Sequence, residues 1–180
     1  MVEFTELLQS EFGPHGSLTD LQLDQLRRHY ELLNRWNQKI NLTRIRDLKE
    51  SVQLNYCESL FLAHALPSGP LRIVDVGSGA GFPGIPVAVL RPDCNVDLIE
   101  SHHRKAAFLR QSTLDLPNVK VIAARAEDCV PGYDWLISRA VLADQVRKLR
   151  LAPNFALLTF GNQGVKLPWG RDRCLVVSGR

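Results

Sequence analysis

Along residues 1–66 the apolar positions recur at the three-to-four-residue spacing of helices with one buried face. Met1–Phe12 carries Val2, Phe4, Leu7, Leu8 and Phe12 at that spacing, and Gly13-Pro14-His15-Gly16 breaks it. Thr19-Asp20-Leu21-Gln22 has the form of a capping box and opens a second helix. Its apolar face is Leu23, Leu26, Tyr30, Leu33 and then Trp36 or Asn37. Ile40-Asn41-Leu42-Thr43 ends that helix or follows it, with Asn41 either capping the end or shaping a pocket. Asp47-Leu48-Lys49-Glu50 repeats the cap signal and starts a third helix through Val52, Tyr56, Leu60 and Ala63, stopped near Pro67-Ser68-Gly69-Pro70.

From Leu71 the pattern changes to short apolar runs alternating with helical stretches. Strands are expected over Leu71–Val76, Val96–Glu100, Val119–Ala123, Trp135–Ser138 and Phe155–Phe160. Helices are expected after Gly84, over Arg104–Leu114 with Leu114 on the apolar face, and over Val141–Leu151. Alternating β and α units imply a parallel sheet with helices on both faces. The tail from Arg173 to Ser178 reads as one more strand, with too little chain before it for a crossover helix, so it is expected to join antiparallel. The expected fold class is therefore α/β: a Rossmann-like sheet, mostly parallel with an antiparallel C-terminal strand, over residues 71–180, beside an N-terminal helical extension over residues 1–70.

Bulk properties narrow this picture little. The chain has 180 residues, 45% hydrophobic and 23% charged, with a net charge of +3, which permits nucleic acid as a partner without requiring it. The four cysteines have no C-x-x-C pair and read as scattered reduced thiols of a cytoplasmic protein. No H-E-x-x-H motif is present among the five histidines, and no metal is expected. With no apolar run near membrane-spanning length and no signal peptide at Met1, neither membrane insertion nor export is expected. The helical extension is locally basic: Arg27, Arg28, Arg35, Lys39, Arg44, Arg46 and Lys49 bracket only Glu31 and Asp47 as acids. That face is either solvated or a phosphate-contacting surface, and Tyr30 and Trp36 either stack on bases or belong to the core.

The candidate chemistry sits in Ile73–Pro86, where a strand runs into a loop with glycines at 77, 79, 81 and 84. Glycines between a parallel strand and a helix allow positive φ and close ligand approach, the arrangement with which α/β sheets bind nucleotide-like ligands. Gly79-Ala80-Gly81-Phe82-Pro83-Gly84 fits G-x-G-x-x-G, a weak signal alone. Glu100, closing the second strand, suits the hydroxyls of a ribose, which a dinucleotide and S-adenosyl-L-methionine share. Asp75 separates them: an acid beside the loop disfavours a pyrophosphate and suits an ammonium and a sulfonium, and Pro83 removes an N–H donor that a phosphate would use. The residues favour S-adenosyl-L-methionine.

Several separated motifs resemble the RsmG family, also called GidB, the bacterial 16S rRNA guanine-N7 methyltransferases. They are Trp36-Asn37-Gln38-Lys39-Ile40-Asn41-Leu42-Thr43, the loop from Asp75 to Pro86, Arg104-Lys105 with Ala107-Phe108-Leu109-Arg110, Asn118-Val119, Arg125-Ala126-Glu127 and Ser138-Arg139-Ala140. The resemblance implies a class I methyltransferase fold, S-adenosyl-L-methionine as methyl donor, a guanine in the decoding-region loop of small-subunit rRNA as acceptor, and the rRNA or small ribosomal subunit as partner of a monomer. Carried over by motif, Gly77, Gly79 and Phe82 would line the cofactor and Glu100 would hold its ribose. Ala126 and Glu127 would meet its adenine edge, and Arg139 would sit at the cofactor or position the incoming guanine. For Arg139 the alternative is an ion pair with Asp75 or Asp134. Arg35, Lys39, Arg44 and Arg125 are the candidate RNA contacts.

This chain departs from the family pattern at three places. Asn55 and Glu58 stand where the family has His and Asp in the third helix; Phe160-Gly161 stands where strand five ends in Lys-Gly; and the region after Ala140 is compressed, with Asn162–Asp172 in place of a fuller hairpin. These departures leave an alternative function: a degenerate or different-acceptor relative that binds the cofactor with little rRNA activity.

Overall fold

The computed structural model describes residues 2–139, 141–170 and 172–178. Met1 of the expected first helix and Ala140 of the Ser138-Arg139-Ala140 motif therefore lie outside the described residues. Among the described residues seven strands form one sheet: β1 (Arg72–Val76), β2 (Asn95–Ile99), β3 (Val119–Ile122), β4 (Trp135–Arg139), β5 (Asn154–Phe160), β6 (Val165–Lys166) and β7 (Arg173–Val177). Their order is β3-β2-β1-β4-β5-β7-β6. The first five pair in parallel, and β7 joins β5 antiparallel as the chain length before it requires. The two-residue strand β6, which the sequence pattern does not anticipate, pairs antiparallel with β7. Strand order reverses between β1 and β4, which places a crevice at the carboxyl ends of these two strands.

The helices are α1 (Val2–Phe12), α2 (Asp20–Asn37), α3 (Leu48–Glu50), α4 (Glu58–Ala65), α5 (Gly84–Leu90), α6 (His103–Ser112) and α7 (Ala143–Leu149). Thr19 caps α2 with the expected reciprocal box, its hydroxyl accepting from Gln22 N–H and the Gln22 side chain accepting from Thr19 N–H. The expected third helix is continuous in space but not in type: Ser51–Cys57 between α3 and α4 is π-helical. Such a segment is common at functional sites, and here it carries Leu54 and Asn55. Helix α6 stops at Ser112, and Leu114 is 85% exposed rather than buried. Helix α7 is shorter than its pattern because Arg150 turns left-handed at φ 52°.

The strands sort their side chains by the two-residue pleat. Ile73, Leu98, Ile137 and Leu158 pack into the main core with α1, α2, α4, α5 and α6, whereas Val74, Val76, Ile99, Leu136 and Leu157 pack on the opposite face against Val146 of α7. By the same alternation Asp75 and Arg139 project toward the N-terminal helices. Tyr30 resolves here as core, and the cap considered for Asn41 is made by another residue. Tyr30 stacks on Phe4 with ring centroids 4.6 Å apart, so it is a core aromatic. The end of α2 is organised by Asn37, whose Oδ1 accepts from Leu42 N–H and Thr43 N–H at 2.9 and 3.1 Å; Asn41 is exposed. Asn118 is likewise architectural, its amide donating to the carbonyls of Ala88 and Cys94 and tying the end of α5 to β2 and β3. Among the described residues no helix is long and apolar enough to cross a membrane.

Candidate cofactor and acceptor site

The glycine loop leaves the end of β1 as a tight turn. The N–H groups of Gly77 and Ser78 both donate to Ile99 O, at 3.0 and 3.1 Å, anchoring the turn to the end of β2. Gly77 takes φ +71° and Gly79 φ +57°, conformations that disfavour any Cβ. At Gly77 a built Cβ would meet nothing within 4 Å, so the loop presents open backbone there. Gly84 has the opposite requirement: a Cβ would lie 2.3 Å from Leu98 Cδ2 and 2.6 Å from Asp75 Oδ2, so it exists for close packing of α5 on the sheet.

Two carboxylates flank the turn. Glu100, 7% exposed, accepts from Gly79 N–H through Oε2 at 3.0 Å and from His102 N–H through Oε1 at 2.7 Å. It thereby clamps the loop to the end of β2. Asp75 is fully buried beneath the loop; its Oδ2 accepts from Gly84 N–H at 3.0 Å, whereas Oδ1 has no hydrogen-bond partner among the described residues. Burial pushes this carboxyl up to about 7, against the lowering effect of the Gly84 bond and the Arg139 charge. A buried carboxylate oxygen without a donor, under a glycine turn open to a ligand, fits a cationic or N–H-bearing group of S-adenosyl-L-methionine. A pyrophosphate does not fit an acid so placed.

Arg139 ends β4 and does not form the ion pair considered from sequence. Asp134 instead accepts from Arg72 N–H at 2.7 Å, and Arg139 donates through Nη1 to Leu54 O at 3.0 Å and Asn55 Oδ1 at 2.7 Å. The guanidinium lies 5.4 Å from the centroid of Phe82. Burial and the neighbouring Arg173 lower its pKa to about 10, which leaves it cationic at neutral pH. Phe82 is itself buried, edge-on to Tyr56 at 5.0 Å and to His29 at 5.2 Å, so its ring supports the loop from below. His29, a functional-site residue that no local sequence signal marks, is buried on the apolar face of α2. Its Nε2 bonds Ala80 O at 3.0 Å and its Nδ1 bonds Tyr56 Oη at 2.9 Å. A carbonyl only accepts, so Nε2 carries the proton. Glu58 and Arg173 form a buried bidentate pair behind Asn55, through Arg173 Nε to Glu58 Oε1 at 2.6 Å and Arg173 Nη2 to Glu58 Oε2.

The remaining predicted positions fall at the rim. Ala126, half-buried, and Glu127, exposed, form a 3-10 turn (Ala126–Asp128) after β3, at the same sheet edge as Glu100. Arg125 precedes them and is exposed. Arg35 and Lys39 line a groove of about 730 Å³ with Trp36 and Arg104, and Lys39 also lines an adjoining groove of about 430 Å³ with Arg46, His102 and Lys105. Arg44 is exposed and lines neither groove. Arg27 pairs with Asp24 at 2.5 Å and Glu31 at 2.6 Å and Arg28 pairs with Asp24 at 2.5 Å, so the two acids together balance these two cations.

A parallel sheet reversing at β1/β4, a glycine turn after β1 and a carboxylate closing β2 define a Rossmann-like methyltransferase fold. Solved structures share this fold at low identity: coclaurine N-methyltransferase has a TM-score of 0.53 at 14% identity, covering 90% of this chain and 59% of that one. Aeropyrum pernix fibrillarin has a TM-score of 0.51 at 17% identity, covering 62% and 68%. The chain belongs to the GidB family, rRNA small subunit methyltransferase G, whose profile matches residues 22–151. It is 46% identical over 127 residues to the ribosomal RNA small subunit methyltransferase G of Chromobacterium violaceum, covering 68% of this chain and 60% of that protein. With its counterpart in Leptothrix cholodnii the figures are 43% over 147 residues, 76% and 67%. The chain thus spans about 60% of the length of the Chromobacterium relative.

Proposed function

We propose that this chain binds S-adenosyl-L-methionine at the β1/β2 edge and methylates N7 of a guanine in the decoding-region loop of 16S rRNA, on the rRNA or the small subunit. The observation that carries the reading is the 46% identity to a ribosomal RNA small subunit methyltransferase G over 68% of the chain. The cofactor's contribution is an electrophilic methyl on a sulfonium. The chain's own residues bind and orient. Gly77 and Gly79 offer close backbone approach, Glu100 accepts from ribose hydroxyls, and the unpartnered oxygen of Asp75 faces positive charge. Ala126 and Glu127, in the turn after β3, meet the adenine edge in this reading.

Guanine N7 carries a lone pair and no proton, so no general base is needed before attack. Catalysis then consists of holding N7 in line with the methyl and sulfur. Arg139 is the candidate to hold the base. It does so through the guanine O6, because a bond to N7 would occupy the attacking lone pair. Asp75 and Glu100 offset the positive charge that passes from sulfonium to the methylated base.

The test is transfer of labelled methyl from S-adenosyl-L-methionine to small ribosomal subunits from a strain lacking the guanine-N7 mark, followed by mapping of the labelled base. Label on that guanine is the expected result. Cofactor binding with no label on rRNA refutes the acceptor and favours a degenerate or different-acceptor relative.

A further inference from the structure

Strand β5 ends in an aromatic residue that the core does not use. Phe160 is 65% exposed, although Phe155 on the same strand is buried. Its position follows from the register. Arg139 pairs with Leu158 across the parallel β4/β5 ladder, and Phe160 lies two residues further on, so all three side chains fall on one face of the sheet. Phe160 pairs in turn with Arg173 across the antiparallel β5/β7 ladder. The Arg173 guanidinium sits 4.7 Å from the Phe160 ring centroid and is fixed from behind by the buried carboxylate of Glu58. One side of the ring is thus held by a cation that cannot swing away, and the ring remains largely open.

That ring borders a cleft of about 630 Å³, also lined by Leu54, Arg139, Trp169 and Arg173. The cleft lies at the carboxyl ends of β4 and β5. Arg139 connects this cleft to the glycine loop, its guanidinium lying 5.4 Å from the centroid of Phe82. Its volume exceeds that of a nucleobase and leaves room for the attached sugar. Two aromatic side chains and the Arg139 guanidinium, which no carboxylate pairs among the described residues, are groups with which proteins hold a base taken out of a stack: flat apolar faces for the ring and a cation for O6.

We infer that this cleft receives the everted acceptor purine, stacked on Phe160, with Trp169 walling the cleft and Arg139 addressing O6. The inference rests on the RNA-methyltransferase reading and adds the seat of the base. The Nη1 bonds of Arg139 to Leu54 O and Asn55 Oδ1 hold its plane fixed while other N–H groups face the base. Phe160 therefore takes over, by stacking, part of the grip that a lysine at the end of this strand would exert by charge.

Two measurements test the cleft. In the first, Phe160→Ala and Phe160→Tyr are compared with the parent in methyl transfer to unmethylated small subunits, alongside binding of S-adenosyl-L-methionine. Loss of one stacked base contact predicts that Phe160→Ala lowers kcat/KM for subunits by roughly 5- to 100-fold, with cofactor affinity within about twofold and Phe160→Tyr within about threefold of the parent. In the second, a single-stranded RNA oligonucleotide with one thioguanosine is photo-crosslinked to the unmodified chain and the adduct mapped by mass spectrometry. The expected adduct is at Phe160 or Trp169.

A Phe160→Ala variant as active as the parent, or an adduct outside the cleft, overturns the inference while a methylating parent keeps the proposed function. A parent that methylates no guanine but crosslinks at Phe160 or Trp169 refutes the N7-methyltransferase reading and leaves the cleft standing as a base-binding site.

Discussion

Asp75→Asn isolates the cost of holding an acid under the glycine loop. In the unfolded chain the carboxyl titrates near 3.8; folded, it is raised to about 7 by burial. The folded state therefore holds its proton more tightly. Below pH 3.8 both states are protonated and there is no penalty. As pH rises, the unfolded state ionises first, and the protein loses about 1.4 kcal/mol per pH unit until the folded carboxyl also ionises near neutrality, for a total of about 4 kcal/mol. Asparagine keeps an oxygen for Gly84 N–H and cannot ionise. Its NH2 group would replace the unpartnered Oδ1 and cost about 1–3 kcal/mol at every pH, a constant that cancels between two conditions. Relative to the parent, Asp75→Asn should gain about 3 kcal/mol between about pH 5 and about pH 8.5, or roughly 6–12 °C in Tm for a chain of this size. The assay is thermal unfolding of both proteins at the two pH values without ligand. Adding S-adenosyl-L-methionine should raise the parent's Tm more at the higher pH, because a cation beside Oδ1 favours the carboxylate, and should lose that pH dependence in the variant. A Tm difference between parent and variant that does not change with pH refutes the reasoning.

Two further outcomes are expected. His29 is lowered to about 4 by burial, so the stability it contributes is full above 6.5 and is lost as pH falls through 4. Its total is about 3 kcal/mol; this opposes the Asp75 effect over the same window, so His29→Leu, followed by chemical denaturation across pH 4 to 7, should gain stability relative to the parent as pH falls, and a constant difference between the two would count against it. Glu100→Ala removes the acceptor of Gly79 and His102 N–H and the proposed ribose contact, and should weaken S-adenosyl-L-methionine binding by roughly 10- to 100-fold in calorimetry; binding equal to the parent's would show that Glu100 holds the loop and not the ribose.

Local signals determined most of the fold from sequence alone. The Thr19–Gln22 capping box, the two-residue alternation through Val74–Val76 and Leu136–Ile137, and the glycines after β1 are legible because helix caps, pleats and positive φ are set within a few residues. The same short-range signals put Gly77 in the loop after β1, Glu100 at the close of β2 and Arg139 at the end of β4. What the sequence could not decide was who meets whom across the chain. Arg139 reaches Asn55 across 84 residues and Arg173 reaches Glu58 across 115, and neither pairing leaves a periodic trace. His29 is enclosed by Tyr56 and Ala80, and Phe160 meets Arg173 of β7, only once the chain is folded. A side chain's chemistry is its own, but its partners, its burial and hence its charge are set by surfaces that only the folded sheet and helices bring together.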